Sequence, residues 1–242
     1  MTIAKPVTLG VLALQGAFRE HINYFKSVIQ QNEERYLNYS INIIAVRTKE
    51  ELDQCDSLVI PGGESSSMSY IAERTNLLPH LYDFVSNESK SIWGTCAGLI
   101  FLAREIENAV ENQTCLGGLD IQVSRNAFGR QVDSFEQKLD FSDFIPGCDS
   151  FPTVFIRAPV VTKILSNGEG SNGFTEHKVV RSKNTHVNRA PVEVLYKLHN
   201  YDGKENELIV AVRQGRILGT SFHPELSDDN RFHQWFIDEF VL

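Results

Sequence analysis

The sequence has few cysteines and no long apolar run, and both facts narrow what the protein can be. Its four cysteines, at positions 55, 96, 115 and 148, form no C-x-x-C pair and no cluster with metal-ligand spacing. We therefore expect reduced thiols, as in a cytoplasmic protein, and no bound metal. No apolar run approaches the roughly 20 residues of a membrane-spanning helix, so we expect no membrane association.

Basic residues are also in short supply. The 23 Lys and Arg residues are outnumbered by 31 Asp and Glu residues, which gives a formal net charge of −8 and an isoelectric point of about 5.4. Because a surface of this sign repels phosphates, nucleic acid is not an expected partner. The N-terminus begins an apolar strand pattern at once and lacks the basic start and small-residue cleavage site of a secretion signal, which again favours the cytoplasm.

Internal repeats and low-complexity tracts are absent as well, and the rest has the composition of an ordinary globular protein. The 242 residues are 42% hydrophobic and 22% charged, which suits a single domain spanning 1–242. Apolar runs and helical patterns alternate through the first half: strands at 7–14, 41–46, 58–60 and just before Cys96, and helices at 17–31, from 64, at 78–85 and after Cys96. Such alternation predicts an α/β fold, a mostly parallel sheet with helices on both faces.

The second half has a different pattern. Turn residues separate short β-rich segments at 119–123, 154–156, 192–198, 208–212 and 217–222, with a hairpin turn at 213–216. These segments predict a small antiparallel portion of the sheet. The polar, glycine-dotted stretch 166–190 predicts a surface insertion.

The chain closes with an amphipathic helix, for which we predict a cap at Ser227 or Asp228. Its apolar face is expected to be buried through the following side chains: Phe232, Trp235, Phe236, Ile237 and Phe240.

The most informative feature is the G-T-C-A-G turn at 94–98, which lies between an apolar strand and a helix. A G-x-C-x-G turn has the logic of the G-x-S-x-G elbow of hydrolases, in which glycines allow a sharp turn and keep the nucleophile accessible. Cys96 would then stand at the start of a helix, where the helix dipole favours a thiolate. A small buried cysteine beside packing glycines would give the same five residues, so the motif alone leaves both interpretations open.

A reactive cysteine needs a base, and the base needs an orienting group. Among seven histidines, His223 closes the last apolar strand and is followed by Pro224 and Glu225. Residues i and i+2 of an extended segment point the same way, so Glu225 is placed to hold one ring nitrogen of His223. The alternative is a strand-end turn with a solvated glutamate.

A second glycine-containing turn, P-G-G-E-S at 61–65, also joins a strand to a helix. Adjacent glycines expose backbone N–H groups, as an oxyanion hole requires. A plain strand–helix turn has the same composition, and a phosphate loop is disfavoured because no Lys follows in the G-K-[ST] arrangement.

Taken in order, P-G-G-E-S, G-T-C-A-G and H-P-E resemble the class I glutamine amidotransferases. Five further blocks are similar to the glutaminase subunits of pyridoxal 5′-phosphate synthase: L-Q-G-A at 14–17, R-E-H at 19–21, S-R-N-A-F-G-R-Q-V-D-S-F at 124–135, V-F-I-R-A-P at 154–159 and T-S-F-H-P-E-L at 220–226. The resemblance runs from residue 7 to about 240. It is interrupted by insertions near 28–40 and 166–190, which are typical of a eukaryotic, fungal member.

The resemblance implies a flavodoxin-like fold and a glutaminase that hydrolyses L-glutamine to L-glutamate and ammonia through a cysteine thioester. The implied catalytic triad is Cys96, His223 and Glu225. The implied oxyanion donors are the backbone N–H groups of Gly63 and Ala97. The implied substrate-binding residues are Gly63, Glu64, Ser65, Arg125, Ile156 and Arg157.

The resemblance also implies a partner, a separate (β/α)₈ synthase subunit that uses the ammonia to make pyridoxal 5′-phosphate, and no cofactor or metal in this chain. Two alternatives stay open. One is a γ-glutamyl peptidase-like cysteine hydrolase on the same scaffold, against which the blocks at 124–135 and 154–159 argue. The other is a non-catalytic binding subunit, against which the intact Cys96, His223 and Glu225 argue.

Overall fold

The computed structural model describes residues 4–125, 134–165, 179–199 and 207–242. Its first half alternates strands and helices, as the sequence predicts. The elements are β1 (Lys5–Leu12), α1 (Phe18–Gln31), β2 (Tyr39–Val46), α2 (Lys49–Leu52), β3 (Ser57–Ile60), α3 (Ser65–Arg74), α4 (Leu78–Val85), β4 (Ser91–Thr95) and α5 (Ala97–Leu102).

The second half is rich in strands. Its elements are β5 (Ala103–Glu107), β6 (Leu119–Ser124), β7 (Ser134–Leu139), β8 (Phe151–Ile156), β9 (Val160–Ile164), β10 (Val179–Arg181), β11 (Val192–His199), β12 (Glu207–Gln214) and β13 (Ile217–Thr220). A 3₁₀ turn (Pro224–Leu226), the helix α6 (Arg231–Phe236) and a π-helical turn (Ile237–Val241) complete the chain.

The central part of the sheet is parallel. Strands β2, β1, β3, β4 and β13 lie side by side in that order and all run the same way. This order is that of flavodoxin-like folds. Beyond β13 the sheet continues through β12, β9, β6, β5 and β10, mostly antiparallel, and β7 and β8 form a separate antiparallel pair. The predicted fold class is confirmed.

Helices cover both faces of this sheet, so the parallel strands bury their side chains on each face. In β3, Leu58 and Ile60 belong to the core under α3, α4 and α5, whereas Val59 between them belongs to the core under α1 and α6. This alternation follows from the two-residue period of a strand. The predicted apolar face of the last helix, Phe232 to Phe240, is buried in the second core.

The structure differs from the sequence prediction at several element ends. The apolar run after Cys96 stops being helical at Leu102, and Ala103 begins β5 directly. Neither Ser227 nor Asp228 caps the last helix, which begins after Asn230; the Ser227 hydroxyl instead donates to the carbonyl of Pro224 at 2.9 Å.

The predicted insertion at 166–190 is described only in part. Residues 166–178 lie outside the described residues, and 179–181 form the unpredicted strand β10 on β5. In the part of the chain that the structure describes, no helix is both long and apolar enough to cross a membrane.

Candidate active site

The candidate site lies where four neighbouring parallel strands end. Cys96 follows β4, and His223 follows β13, whose last residue pairs with the last residue of β4. The backbone N–H of Cys96 donates to the Thr220 carbonyl at 2.8 Å, which fixes the two strand ends together. The P-G-G turn follows β3, and Gln15 follows β1. Ligands of open α/β sheets bind at this carboxyl edge.

Cys96 has the strained backbone of a nucleophile elbow. Its φ is 47° and its ψ is −101°, in a region that residues with a Cβ rarely adopt. Gly98 makes this turn possible, since a Cβ there would lie 2.0 Å from the carbonyl oxygen of Ile60. The thiol of Cys96 lies 3.9 Å from the carbonyl oxygen of Ile156.

The other three cysteines are buried in apolar surroundings. Burial raises the pKa of Cys55 and Cys115 to about 12 and that of Cys148 to about 11. Inert thiols of this kind contrast with Cys96, which lines a pocket next to a histidine.

His223 is held between Cys96 and Glu225. Its Nδ1 lies 2.8 Å from Oε1 of Glu225, and its backbone N–H donates to the Val154 carbonyl on β8 at 2.8 Å. Burial alone would lower the pKa of His223, but the hydrogen bonds with Cys96 and Glu225 outweigh it and raise that pKa to about 10. The structure therefore favours an imidazolium facing the thiol.

Glu225 sits behind His223 in the 3₁₀ turn and is 2% exposed. Burial would raise the pKa of this carboxyl, but the neighbouring His21 and the hydrogen bond with His223 outweigh burial and lower it. The carboxylate is thus ionised where it holds the imidazole. The solvated glutamate of the alternative interpretation is not what the structure shows.

The P-G-G turn packs against the imidazole. A Cβ at Gly62 would lie 2.3 Å from Cε1 of His223, so a side chain there would displace the ring. Gly63 and Ala97, the two predicted oxyanion donors, line the same pocket. Ala97 is the first residue of α5, where backbone N–H groups have no partner within the helix.

These residues surround a pocket of about 350 Å³. The side chains and backbone that line it are Gly63, Glu64, Ser65, Cys96, Ala97, Ile100, Arg125, Ile156, Arg157 and His223. The pocket thus brings together all the predicted site residues except Glu225, which lies behind His223 and contacts it. The block at 126–133 lies outside the described residues.

Two opposite charges stand at the pocket. Nη2 of Arg125 lies 3.2 Å from Oε1 of Glu64, and Nη1 of Arg125 donates to Oε1 of Gln113 at 3.1 Å. Burial opposes ionisation of Glu64, but hydrogen bonds from Ser66 and Ser67 outweigh it and lower the pKa of Glu64 to about 2. Glu64 also caps α3, because its carboxylate accepts from the first backbone N–H groups of that helix.

Sequence reasoning missed two contributors to the site. Ile100 lines the pocket from α5, and Gln113 joins Arg125 to the hydroxyl of Ser65. Gln15 clamps the P-G-G-E turn: its Oε1 accepts from the Glu64 N–H at 3.1 Å, and its Nε2 donates to the Glu64 carbonyl at 3.0 Å. Gln15 was marked in the sequence by the L-Q-G-A block, whereas nothing local marks Gln113.

A flavodoxin-like sheet with a cysteine elbow and a His–Glu pair at its carboxyl edge is the arrangement that the resemblance to the class I glutamine amidotransferases implies. A solved structure described as a glutamine amidotransferase matches the chain with a TM-score of 0.66 and 38% identity, covering 95% of this chain and 97% of the other. The family model described as SNO glutamine amidotransferase matches residues 11–242. The chain belongs to this family.

Relatives with similar sequences are pyridoxal 5′-phosphate synthase subunits. Pyridoxal 5′-phosphate synthase subunit SNO1 of Saccharomyces cerevisiae is 50% identical over 234 residues, 96% of this chain and 92% of the relative. Pyridoxal 5′-phosphate synthase subunit PdxT of Dehalococcoides mccartyi is 42% identical over 229 residues, 95% of each chain. The similarity to the yeast protein accords with the fungal character expected from the insertions.

Proposed function

We propose that this chain is the glutaminase subunit of a pyridoxal 5′-phosphate synthase. It hydrolyses L-glutamine to L-glutamate and ammonia. The observation that carries the proposal is the chain of contacts from Cys96 through His223 to Glu225 at the wall of a pocket that also holds Arg125 and Glu64. Thiol, base, orienting carboxylate and charged anchors are what amide hydrolysis of an amino acid requires.

In the first half-reaction the thiolate of Cys96 attacks the side-chain carboxamide carbon of glutamine. The carbonyl oxygen takes up negative charge and is stabilised by the backbone N–H groups of Gly63 and Ala97. When the tetrahedral intermediate collapses, the C–N bond breaks and His223 gives its proton to the departing ammonia. A glutamyl thioester on Cys96 and a neutral His223 remain.

The second half-reaction restores the enzyme. His223 takes a proton from water, and the resulting hydroxide attacks the thioester carbon. The C–S bond then breaks, which releases glutamate and leaves Cys96 as thiolate beside an imidazolium. Throughout, Glu225 stays ionised, holds the ring of His223 in one orientation and stabilises its positive charge.

The charged residues suit the amino-acid end of the substrate. An Arg is the natural partner of an α-carboxylate, and a carboxylate that of an α-ammonium, so Arg125 and Glu64 recognise these two groups. Their mutual contact of 3.2 Å is exchanged for contacts with the substrate. Ser65, Ile156 and Arg157 complete the wall around the carboxamide.

The ammonia is passed to a separate (β/α)₈ synthase subunit, which builds pyridoxal 5′-phosphate. Support comes from the names of the relatives, which are synthase subunits, at 50% and 42% identity over nearly their whole length. The four free cysteines fit a reducing compartment, and we place the protein in the cytoplasm as a single domain spanning 1–242 with an insertion near 166–190.

The test is ammonia and glutamate release from L-glutamine, measured with the cognate synthase present and with wild type, Cys96→Ala and Cys148→Ala. We expect equimolar products from wild type, none above background from Cys96→Ala, and near-wild-type rates from Cys148→Ala, because Cys148 is buried away from the pocket. Turnover by folded Cys96→Ala would refute the nucleophile assignment.

Two further results would separate the alternatives. A wild-type complex that forms with the synthase but releases no ammonia would identify a non-catalytic binding subunit. Faster cleavage of a γ-glutamyl peptide than of glutamine would identify a peptidase.

A further inference from the structure

The triad uses only one oxygen of Glu225. Its Oε1 is hydrogen-bonded to Nδ1 of His223 at 2.8 Å, whereas its Oε2 is buried and has no hydrogen-bond partner among the described residues. Nε2 of His21 lies 3.4 Å from this oxygen, and both side chains are fully shielded from solvent. Burying a carboxylate oxygen without a hydrogen-bond partner costs free energy, so a polar group that faces this oxygen has a strong effect on its stability.

His21 lies on α1 and reaches across to α6. Its Nδ1 is 2.9 Å from Nε2 of His233, and its Nε2 is 3.3 Å from the hydroxyl of Thr95. Trp93 and Phe25 enclose both imidazoles, with centroids of their rings 4.9 to 6.4 Å from those of the imidazoles. Burial lowers the pKa of His21 and of His233 to about 3, so both rings are neutral near pH 7.

Two neutral rings joined by one hydrogen bond have two possible proton arrangements. In the first, His233 Nε2–H donates to His21 Nδ1, and His21 Nε2–H points toward Glu225 and Thr95. The nitrogen left over is Nδ1 of His233, which is buried and has no hydrogen-bond partner within the described ranges. In this arrangement that nitrogen carries a lone pair.

In the second arrangement His21 Nδ1–H donates to His233. His21 Nε2 then presents a lone pair to the Glu225 carboxylate at 3.4 Å, which is repulsive, even if the Thr95 hydroxyl donates to it. His233 Nδ1 must also carry a proton, which would be a buried N–H without an acceptor. Orphaned N–H groups are rarer than orphaned acceptors. The first arrangement is therefore favoured on both counts.

We infer that His21, oriented by His233, is a positioning residue that holds the second oxygen of Glu225 and so fixes the His223 ring against Cys96. The inference rests on the proposed function. In this arrangement a continuous series of polar contacts runs from His233 through His21, Glu225 and His223 to Cys96. These contacts join α1 and α6 to the nucleophile elbow.

A matched pair of variants tests this role. His21→Gln keeps an N–H donor near the position of Nε2, whereas His21→Met has a similar length and volume and no donor. The readout is the rate at which iodoacetamide alkylates Cys96, measured on the chain from pH 5 to 9 by peptide mass analysis. This readout needs no glutamine turnover, so it stays informative even if the proposed function fails.

We expect His21→Met to react about tenfold more slowly than wild type at pH 7, the lower end of what loss of a hydrogen bond to a charged group costs. The acid limb of its rate–pH curve should move to higher pH, because Glu225 then ionises less readily. The titratable groups near Glu225 are His21, His223 and Tyr24, and Cys96 faces His223. His21→Gln should stay within about threefold of wild type. In the synthase complex, the same loss should fall on kcat and leave KM for glutamine unchanged, since His21 does not line the pocket.

Equal rates and pH profiles for wild type and both variants would overturn the inference. So would equal losses in His21→Gln and His21→Met, which would indicate a packing role. The inference would also fail if Cys96 of the wild type were alkylated no faster than Cys96 of His223→Gln. His223 would then not activate the thiol, and His21 would have no effect on it to support. If His21→Met does not fold, His233→Gln and His233→Met decide, because only the second removes the donor to His21.

Discussion

Cys96 holds a backbone conformation that few residues tolerate, and the surrounding packing compensates for it. Residues in such regions are strained by about 1–3 kcal/mol and persist where neighbouring structure determines them. Here β4 and α5 are buried throughout, and the Cys96 N–H is fixed by Thr220. Arg157, which lines the same pocket, also has a positive φ, of 44°. Backbone strain at two positions of one pocket is typical of a functional site.

Replacing Glu225 with Gln is expected to reduce kcat by roughly 10- to 10⁴-fold, with KM for glutamine little changed. The amide removes the negative charge that supports the imidazolium, but it keeps the shape of the side chain. The measurement is steady-state ammonia release in the presence of the synthase.

Glu207→Gln is the matched control for this prediction, since Glu207 is exposed and pairs with Lys197 on the surface. It should behave as wild type. A Glu225→Gln protein with the same kcat as Glu207→Gln would show that the carboxylate takes no part in the reaction.

At the scale of elements, α3 is tied to the pocket through its cap. Glu64 accepts hydrogen bonds from the N–H groups of Ser66 and Ser67, and the same carboxylate contacts Arg125. The start of α3 and the charge at the pocket therefore depend on one side chain. A change at Glu64 must affect both stability and substrate binding.

We expect Glu64→Ala to lower the free energy of unfolding by about 1 kcal/mol and to raise KM for glutamine. Thr48→Ala is the matched control, because Thr48 caps α2 in a capping box with Glu51, away from the pocket. It should lose similar stability and keep the wild-type KM. Denaturant titration and steady-state kinetics measure the two effects. An unchanged KM in Glu64→Ala would exclude Glu64 from substrate binding.

Elements with a strong local pattern were predictable from the sequence. The helix over 78–85 has the predicted bounds, and the strand–elbow–helix around Cys96 was identified from its glycines. The strand β5 was missed, because Ala103 continues an apolar run and only tertiary pairing, with β6 and β10, makes it a strand. The edge strand β10 lies in a polar stretch and forms for the same reason.

In the site, too, residues in local motifs were predictable from the sequence, whereas contacts made only by tertiary packing were not. Cys96 and the His223–Glu225 pair lie in short motifs whose chemistry can be read from residue type and spacing. His21 and His233 are 212 positions apart, and their contact depends on α1 and α6 packing on one face of the sheet. No local pattern in the sequence encodes such a contact.

At the scale of the whole molecule, buried histidines make stability depend on pH. The pKa of His21 and of His233 falls from 6.5 to about 3 on folding. Between these pH values the unfolded chain therefore binds two protons that the folded chain does not. Their contribution to stability is present above pH 6.5 and is lost as the pH falls toward 3. His223 acts in the opposite sense: its pKa is raised to about 10, so its contribution is present below pH 6.5 and is lost as the pH rises through 10.

We therefore expect the free energy of unfolding to decrease between pH 6.5 and 3 by up to about 1.4 kcal/mol per pH unit for each buried histidine. His233→Gln should remove one of these contributions and give a shallower acid slope than wild type. Urea titrations at several pH values measure both slopes. Parallel slopes would mean that His233 is not held neutral by the fold.

The glycine turn beside His223 is mechanically linked to the first strand–helix connection. Gln15 holds both backbone groups of Glu64, and a Cβ at Gly16 would lie 2.0 Å from the carbonyl oxygen of Gly62. Neither Gly62 nor Gly63 has a side chain, so the peptide between them is sterically free to turn, and the hydrogen bond from the Ala17 N–H to the Gly62 carbonyl at 3.0 Å holds its direction. We therefore expect that a protein bound to the loop around Gln15 can set the direction of the Gly63 N–H, the proposed oxyanion donor.

We expect the free chain to be a poor glutaminase that its synthase activates, since an ordered oxyanion donor is worth about 10²–10³-fold in rate and ammonia made without the synthase is wasted. The measurement is kcat/KM for glutamine at increasing synthase concentration. Gln15→Ala should still form the complex, shown by sedimentation, but should gain less activity from it, because the link from the loop to Glu64 is lost. Equal activity at zero and saturating synthase, with the complex shown to form, would mean that the pocket is fully assembled in the free chain and that the partner only receives the ammonia.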